Sequence, residues 1–185
     1  LTTDFGYKDH FVGVIKGSIY KEIADAKIVD ISNEISPFNI AECAYILKNS
    51  YKSFPAGTIH IVGVDSEPTP ENQHIAVLVD GQYFVTANNG VIGLITSEIK
   101  PEKVIEINIP NPENGSFPVL DVFVKVACHI ARGGTLEVVG KSFDHLKDIR
   151  EFAPRIIENG NGIVGSVIYI DNFGNVITNI ERHTF

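Results

Sequence analysis

Four short stretches place oxygen- and nitrogen-bearing side chains where a strand gives way to a turn. LTTDFGYKDH, residues 1–10, sets Asp4 and Asp9 either side of Gly6, and TIHIVGVD, residues 58–65, ends on Asp65. SFPVLD, residues 116–121, carries Ser116 and Phe117 ahead of an apolar stripe, and IDNFGN, residues 170–175, carries Asp171 and Asn175. A carboxylate beside a ligand accepts hydrogen bonds from hydroxyls or an amino group and repels phosphate. The set therefore points toward a neutral or cationic nucleoside and away from a phosphorylated one. Other uses compete for the same residues. Asp9 reads first as a helix cap, whereas Asp4 lies too far ahead of the helix to cap it naturally. Asp171 and Asn175 are also ordinary β-turn residues.

Other chemistries lack their residues. No Gly-x-Gly-x-x-Gly follows the first strand, no Gly-Lys-Ser/Thr loop is present, and no Gly-x-Ser-x-Gly elbow appears. The histidines have no zinc spacing, so no metal is expected. Cys43 and Cys128 fall on apolar helix faces, the place of reduced, buried thiols. A formal charge of −8 argues against nucleic acid or an anionic membrane as partner. With no run of about 18 apolar residues and no secretion signal, a cytoplasmic protein is expected. The 185 residues contain no methionine and stop at ERHTF, so the sequence reads as a piece of a longer chain.

The elements that must position these residues follow from periodicity. Phe11, Ile15, Ile19 and Ile23 keep a four-residue step, predicting a helix after Asp9. KIVDIS, residues 27–32, reads as a short strand; Ser36-Pro37 marks a break with a helix start; Ile40, Cys43, Ala44, Leu47 and Tyr51 share one helical face. TIHIVGVD is a strand, and HIAVLVDGQYFVTA is a hairpin turning at Asp80-Gly81. A short helix after Asn89-Gly90, a strand near residues 103–109 and a helical stripe from Val119 to Ile130 complete the first part. Such alternation predicts an α/β fold with a largely parallel sheet. In that arrangement Asp4, Asp65 and the segment near Ser116 converge beyond the carboxyl ends of the strands, where such sheets bind ligands. Residues 141–162 are charged and aperiodic and read as a connector. GIVGSVIYIDNFGNVITNI then looks like the opening of an all-β domain.

LTTDFGYKDHFVG, VDIS…ISPF, FPAGTIHIVGVD and IDNFGNVITNI together resemble the S-adenosylmethionine (SAM) hydroxide adenosyltransferases, the family related to the SAM-dependent fluorinase and chlorinase. The resemblance implies a three-layer-like α/β SAM-binding domain at 1–145, a linker at 146–161, and at 162–185 the beginning of a small C-terminal β-barrel. It also implies a homotrimer with sites between subunits. SAM is then a substrate, with no cofactor. By motif, Asp4 is expected on the ribose hydroxyls, Asp9 on the methionine amino group, Asp171 beside it from the barrel, and Asn175 on the adenine edge. Phe38 packs on the sugar, and Ser116 and Phe117 wall the nucleophile pocket.

The implied reaction is SN2 attack of water or hydroxide at C5′, giving adenosine and L-methionine. The sulfonium leaves as a neutral thioether, so the step needs an aligned nucleophile and a proton acceptor rather than a general acid. The resemblance assigns water orientation to an Asp–Arg–His trio. Asp65 keeps its place, but Asn72 stands at the arginine position and Pro118 at the histidine position. Asn72 donates hydrogen bonds without positive charge, while Pro118 offers no polar side chain. His74 could substitute, although a surface or pairing histidine is the plainer reading, and Glu67 and Glu71 add negative charge to the same loop. Val119 occupies the position of the halogenases' serine, which argues against halide. The catalytic expectation rests on Asp65 and Asn72. A non-catalytic SAM- or adenosine-binding protein, and adenosyl transfer to another nucleophile, stay open.

Overall fold

The apolar runs after Thr58 and Gln73 build the centre of a six-stranded sheet, with order β1-β2-β4-β3-β5-β6. The strands are β1 (Thr2–Thr3), β2 (Ile59–Gly63), β3 (His74–Val79), β4 (Gln82–Ala87), β5 (Lys103–Ile107) and β6 (Gly140–Ser142). The structure, a computed structural model, describes residues 1–109, 116–149, 154–157 and 161–180. These belong to two compact units, Leu1–Lys147 and Asp148–Phe185.

β1 pairs with β2 and β2 with β4 in parallel, whereas β3 is antiparallel to both β4 and β5, and β6 is antiparallel to β5. Four strands thus share one direction. The hairpin turns where expected, with Asp80 at φ 51° and Gly81 at φ 68°, both left-handed as a tight two-residue connection requires.

Strand alternation sends neighbouring residues to opposite faces. Ile61, Ala76, Val85 and Ile105 pack with α1 (Phe11–Glu22) and the helical stretch from Val119 to Ile130. Val62, Val77 and Phe84 pack with α2 (Ile40–Ser50) and α3 (Val91–Ile95). The expected stripe from Val119 is helical but begins with a π turn, Val119–Phe123, before α4 (Val124–Ala131). Such turns, with their extra residue, recur at functional sites.

Two boundaries differ from expectation. Residues 27–32 form no strand. Ser32 makes a single parallel bridge to Thr2, where the Thr3 N–H donates to the Ser32 carbonyl and the Ile31 N–H donates to the Leu1 carbonyl. β1 is only two residues long and offers no ladder for a longer partner. The helix expected to start at Ser36-Pro37 starts at Ile40. Its cap is Asn39, whose side chain accepts the Glu42 N–H while donating to the Glu42 carboxylate, a reciprocal cap that outcompetes proline as the start signal.

The second unit contains two antiparallel pairs, β7 (Arg155–Ile157) with β8 (Gly162–Val164), and β9 (Val167–Ile170) with β10 (Val176–Thr178). β7 lies inside the stretch read as a connector. Ile156, Val164, Val167, Ile170 and Val176 are exposed.

Candidate functional site

The parallel pairing of β1 and β2 sets the geometry. Thr3 lies opposite Gly63, so both strands release the chain at the same edge. Asp4 follows Thr3 at once, and Asp65 follows Gly63 by two residues. Two residues at this edge, Phe38 at φ 62° and Asp65 at φ 44°, adopt the left-handed backbone that side chains resist. Such strain persists only where surrounding bonds enforce it.

Those bonds are visible. The Asp4 carboxylate accepts the Phe38 N–H at 3.0 Å, holding the exposed phenyl group beside the β1 turn. Asn33, fully buried, stitches that turn in place. Its Oδ1 accepts the Thr3 hydroxyl at 2.8 Å, its amide donates to the Tyr7 hydroxyl, and its carbonyl accepts the Gly6 N–H. At Asp65 the holder is Asn89, buried, which donates to the carbonyls of Val64 at 2.8 Å and Asp65 at 3.2 Å and accepts the Val91 N–H.

His74 takes part in the same turn. Its Nε2 lies 3.0 Å from the Ser66 carbonyl and its ring packs edge-on against Phe123. Because a carbonyl only accepts, Nε2 carries the proton. Burial pushes the imidazole below its ordinary value, against the opposing pull of the Ser66 carbonyl and Glu67. The histidine is therefore a buried brace behind Asp65, not a surface residue.

Phe117 closes the other wall. It meets Phe5 and Phe11, each at 5.3 Å between ring centroids and nearly edge-on, joining the loop after Ser116 to the residues that flank Asp4 and Asp9. Its N–H is accepted by Asp121 and its carbonyl takes two N–H groups from the π turn. Ser116 is exposed. Pro118 leads into the turn, and Val119 is buried against Gly63.

Asp9 does not cap α1. The cap position is His10, with no side-chain capping bond, and among the described residues the exposed Asp9 carboxylate has no hydrogen-bond partner. Asn72 is half-buried; its N–H bonds Thr69 and its Oδ1 accepts Lys147 Nζ at 2.9 Å. Asp171 and Asn175 lie in the second unit and bond each other. Asp171 accepts the N–H groups of Phe173 and Asn175 on one oxygen and the Asn175 amide at 2.7 Å on the other. The Asn175 side chain and backbone hold that carboxyl below its usual range.

The first unit thus brings together Asp4 and Phe38 by a hydrogen bond, joins Phe117 to the flanks of Asp4, and puts Asp65 on the adjacent strand end. Asn33, Asn88, Asn89 and Lys147 were missed. Asn89-Gly90 read only as the lead-in to a short helix, and only the run of two amides at 88–89 could have signalled more. No group of three or more His, Cys, Asp or Glu able to hold a metal occurs among the described residues, and none of their helices is long and apolar enough to cross a membrane.

Residues 1–140 match the family model described as the SAM hydroxide adenosyltransferase N-terminal domain. The chain belongs to that family. It is 33% identical to the (R)-S-adenosyl-L-methionine hydrolase of Methanocaldococcus jannaschii, covering 98% of this chain and 66% of the relative. A fluorinase of Nocardia brasiliensis is 24% identical, covering 97% of this chain and 70% of the enzyme. A crystal structure of a conserved protein from Thermotoga maritima, at 34% identity, superposes with a TM-score of 0.83 over 97% of this chain and 70% of that one. The chain spans about two thirds of the length of the curated relatives it matches.

Proposed function

We propose that this chain supplies the α/β half of a SAM hydrolase, which converts SAM and water to adenosine and L-methionine. The observation that carries the proposal is the pairing of Asp4 and Asp65 on adjacent parallel strand ends, beside the Phe5–Phe11–Phe117 wall. The names of the similar hydrolases support it.

In this reading Asp4 keeps one oxygen on the Phe38 N–H and offers the other to the ribose hydroxyls. Phe38 covers the sugar. Asp9, uncommitted, receives the methionine ammonium. Ser116 and Phe117 border the nucleophile, and the aromatic wall keeps bulk water from the sulfonium. Asp65 accepts the proton of the attacking water while Asn72 donates to its oxygen. C5′–O forms as C5′–S breaks, and the thioether leaves neutral. Asp171 and Asn175 join from a β-barrel begun in the second unit, whose exposed Val167, Ile170 and Val176 are faces that a completed barrel would bury. The three-layer domain at 1–145, the linker at 146–161, trimeric assembly with sites between subunits, absence of any cofactor and a cytoplasmic location belong to the same proposal.

The test is incubation of the full-length protein with SAM in heavy-oxygen water, followed by chromatography and mass analysis. Adenosine labelled at C5′ is expected. Tight SAM binding without adenosine above background would instead support a binding protein, the reading that the replacements Asn72 and Pro118 favour.

A further inference from the structure

The charged residues of the loop holding Asp65 and Asn72 are all acids, Asp65, Glu67 and Glu71, a poor setting for hydroxide. A cation reaches it from elsewhere in the sequence. Lys147 Nζ donates to Asn72 Oδ1 at 2.9 Å. Ammonium has no acceptor capacity, so this contact fixes which end of the amide faces Lys147. Asn72 must turn its oxygen to the lysine, leaving its N–H groups for another oxygen.

The lysine is not placed by its own flexible stem alone. Asn88, buried, accepts the Lys147 backbone N–H at 2.9 Å and donates to the His145 carbonyl at 3.0 Å. The Asn88 N–H in turn bonds the Gln73 carbonyl at 2.7 Å, next to Asn72. Asn88 therefore ties residues 145–147 to the Asn72 loop, while its neighbour Asn89 pins Asp65. One buried amide pair thus anchors both the Asp65 turn and the segment that reaches Asn72.

We propose that Lys147 is a positioning residue for the nucleophile: through Asn72 it fixes a donor on the attacking oxygen and supplies the positive charge that the loop lacks. This deepens the hydrolase proposal and rests on it. On the same segment Asp144 and His145, both exposed, lie 3.1 Å apart, and the acidic Asp148 follows Lys147 directly. The Lys147 ammonium on the Asn72 oxygen polarises the amide and strengthens its donation.

The test compares wild type, Lys147→Met, Lys147→Arg, Asn72→Ala and Asn72→Ala/Lys147→Met in steady-state SAM hydrolysis by the full-length protein. Lys147→Met should lower kcat about tenfold, the scale of one charge a few ångströms away in a solvent-facing site, with KM held within about twofold. Lys147→Arg should recover most of the loss. In the Asn72→Ala background Lys147→Met should add less than about twofold, since its route is gone. An unchanged kcat, a rise in KM alone, or the same factor in both backgrounds would overturn the assignment.

A second readout needs no turnover. Azide, a small anion standing in for hydroxide, is titrated calorimetrically into adenosine-saturated protein. Binding about tenfold weaker in Lys147→Met supports the proposal even where wild type makes no adenosine, the result that would sink only the hydrolase reading. Equal azide affinity, or none in wild type, would overturn the role of Lys147.

Discussion

Gly63, the last residue of β2, lies directly against Val119 of the π turn, and Gly63→Ala tests whether that approach is required. A Cβ built there stands 2.7 Å from Val119 Cγ2, and 3.3 Å from both Phe5 Cζ and Thr3 Cγ2. Ordinary contact begins near 3.4 Å, so Val119 must retreat by 3.4 − 2.7 = 0.7 Å. Its β-branched side chain is stiff and fully buried, so the backbone of the turn has to move. Overpacking of this kind costs about 1–3 kcal/mol. The displacement passes to Phe117, whose carbonyl anchors the turn. Urea unfolding should show a lower midpoint at unchanged slope. Val119→Ala alone should cost about 2–3 kcal/mol through its cavity, but the double variant should be more stable than the sum by at least about 1 kcal/mol. A Gly63→Ala loss under about 0.5 kcal/mol, or strict additivity, would refute the steric argument.

Asn89→Ala should cost about 2–3 kcal/mol, because it strands two carbonyls and an N–H at a buried site; chemical denaturation checks this, and turnover should fall with it. At Asp65, held at φ 44°, replacement by Gly should leave a protein about 1 kcal/mol more stable than replacement by Ala, while both abolish hydrolysis. His60 and His74 are both held below the ordinary imidazole value of 6.5 by burial. The unfolded chain then binds more protons, so their contribution is complete above about pH 6.5 and lost as pH falls through the lowered folded values. Thermal melts across pH 5–8 should show this, with a shallower slope in His60→Gln, which keeps a donor toward Gln82. Cys43 and Cys128 are buried with thiols pushed upward by desolvation, so neither should react with a thiol reagent until the protein unfolds.

Elements whose periodicity agrees with their burial were readable from the residues alone. The 74–87 hairpin, β2 and the Val119–Ile130 stripe all have one dominant signal. Elements decided by competition were not. Residues 27–32 look as strand-like as β2, yet two-residue β1 gives them almost nothing to pair with, a fact belonging to the partner rather than the stretch. The α2 boundary turned on a reciprocal bond between Asn39, two residues past the more conspicuous proline, and Glu42. The π turn is a one-residue insertion in a helical ladder and leaves no periodic trace over so short a run.

The site divides in the same way, and the division has a consequence for its aspartates. Chain position alone put Asp4 and Asp65 on one edge, because parallel strands release their loops at the same end. What each carboxylate is free to do depends on neutral partners distant in sequence. Asp65 is held through its backbone by Asn89 and, at the next residue, by His74, so among the described residues its carboxylate has no partner and stays available. Asp4 has committed one oxygen to Phe38. Asp171 has committed both to its own turn, so a ligand must share the oxygen that already holds the Asn175 amide. Asp171→Asn should therefore loosen the β9–β10 hairpin as well as weaken SAM binding, visible as faster amide exchange at Phe173 and Asn175 without ligand. Unchanged exchange, with SAM affinity alone reduced, would mean that the turn already leaves Asp171 free.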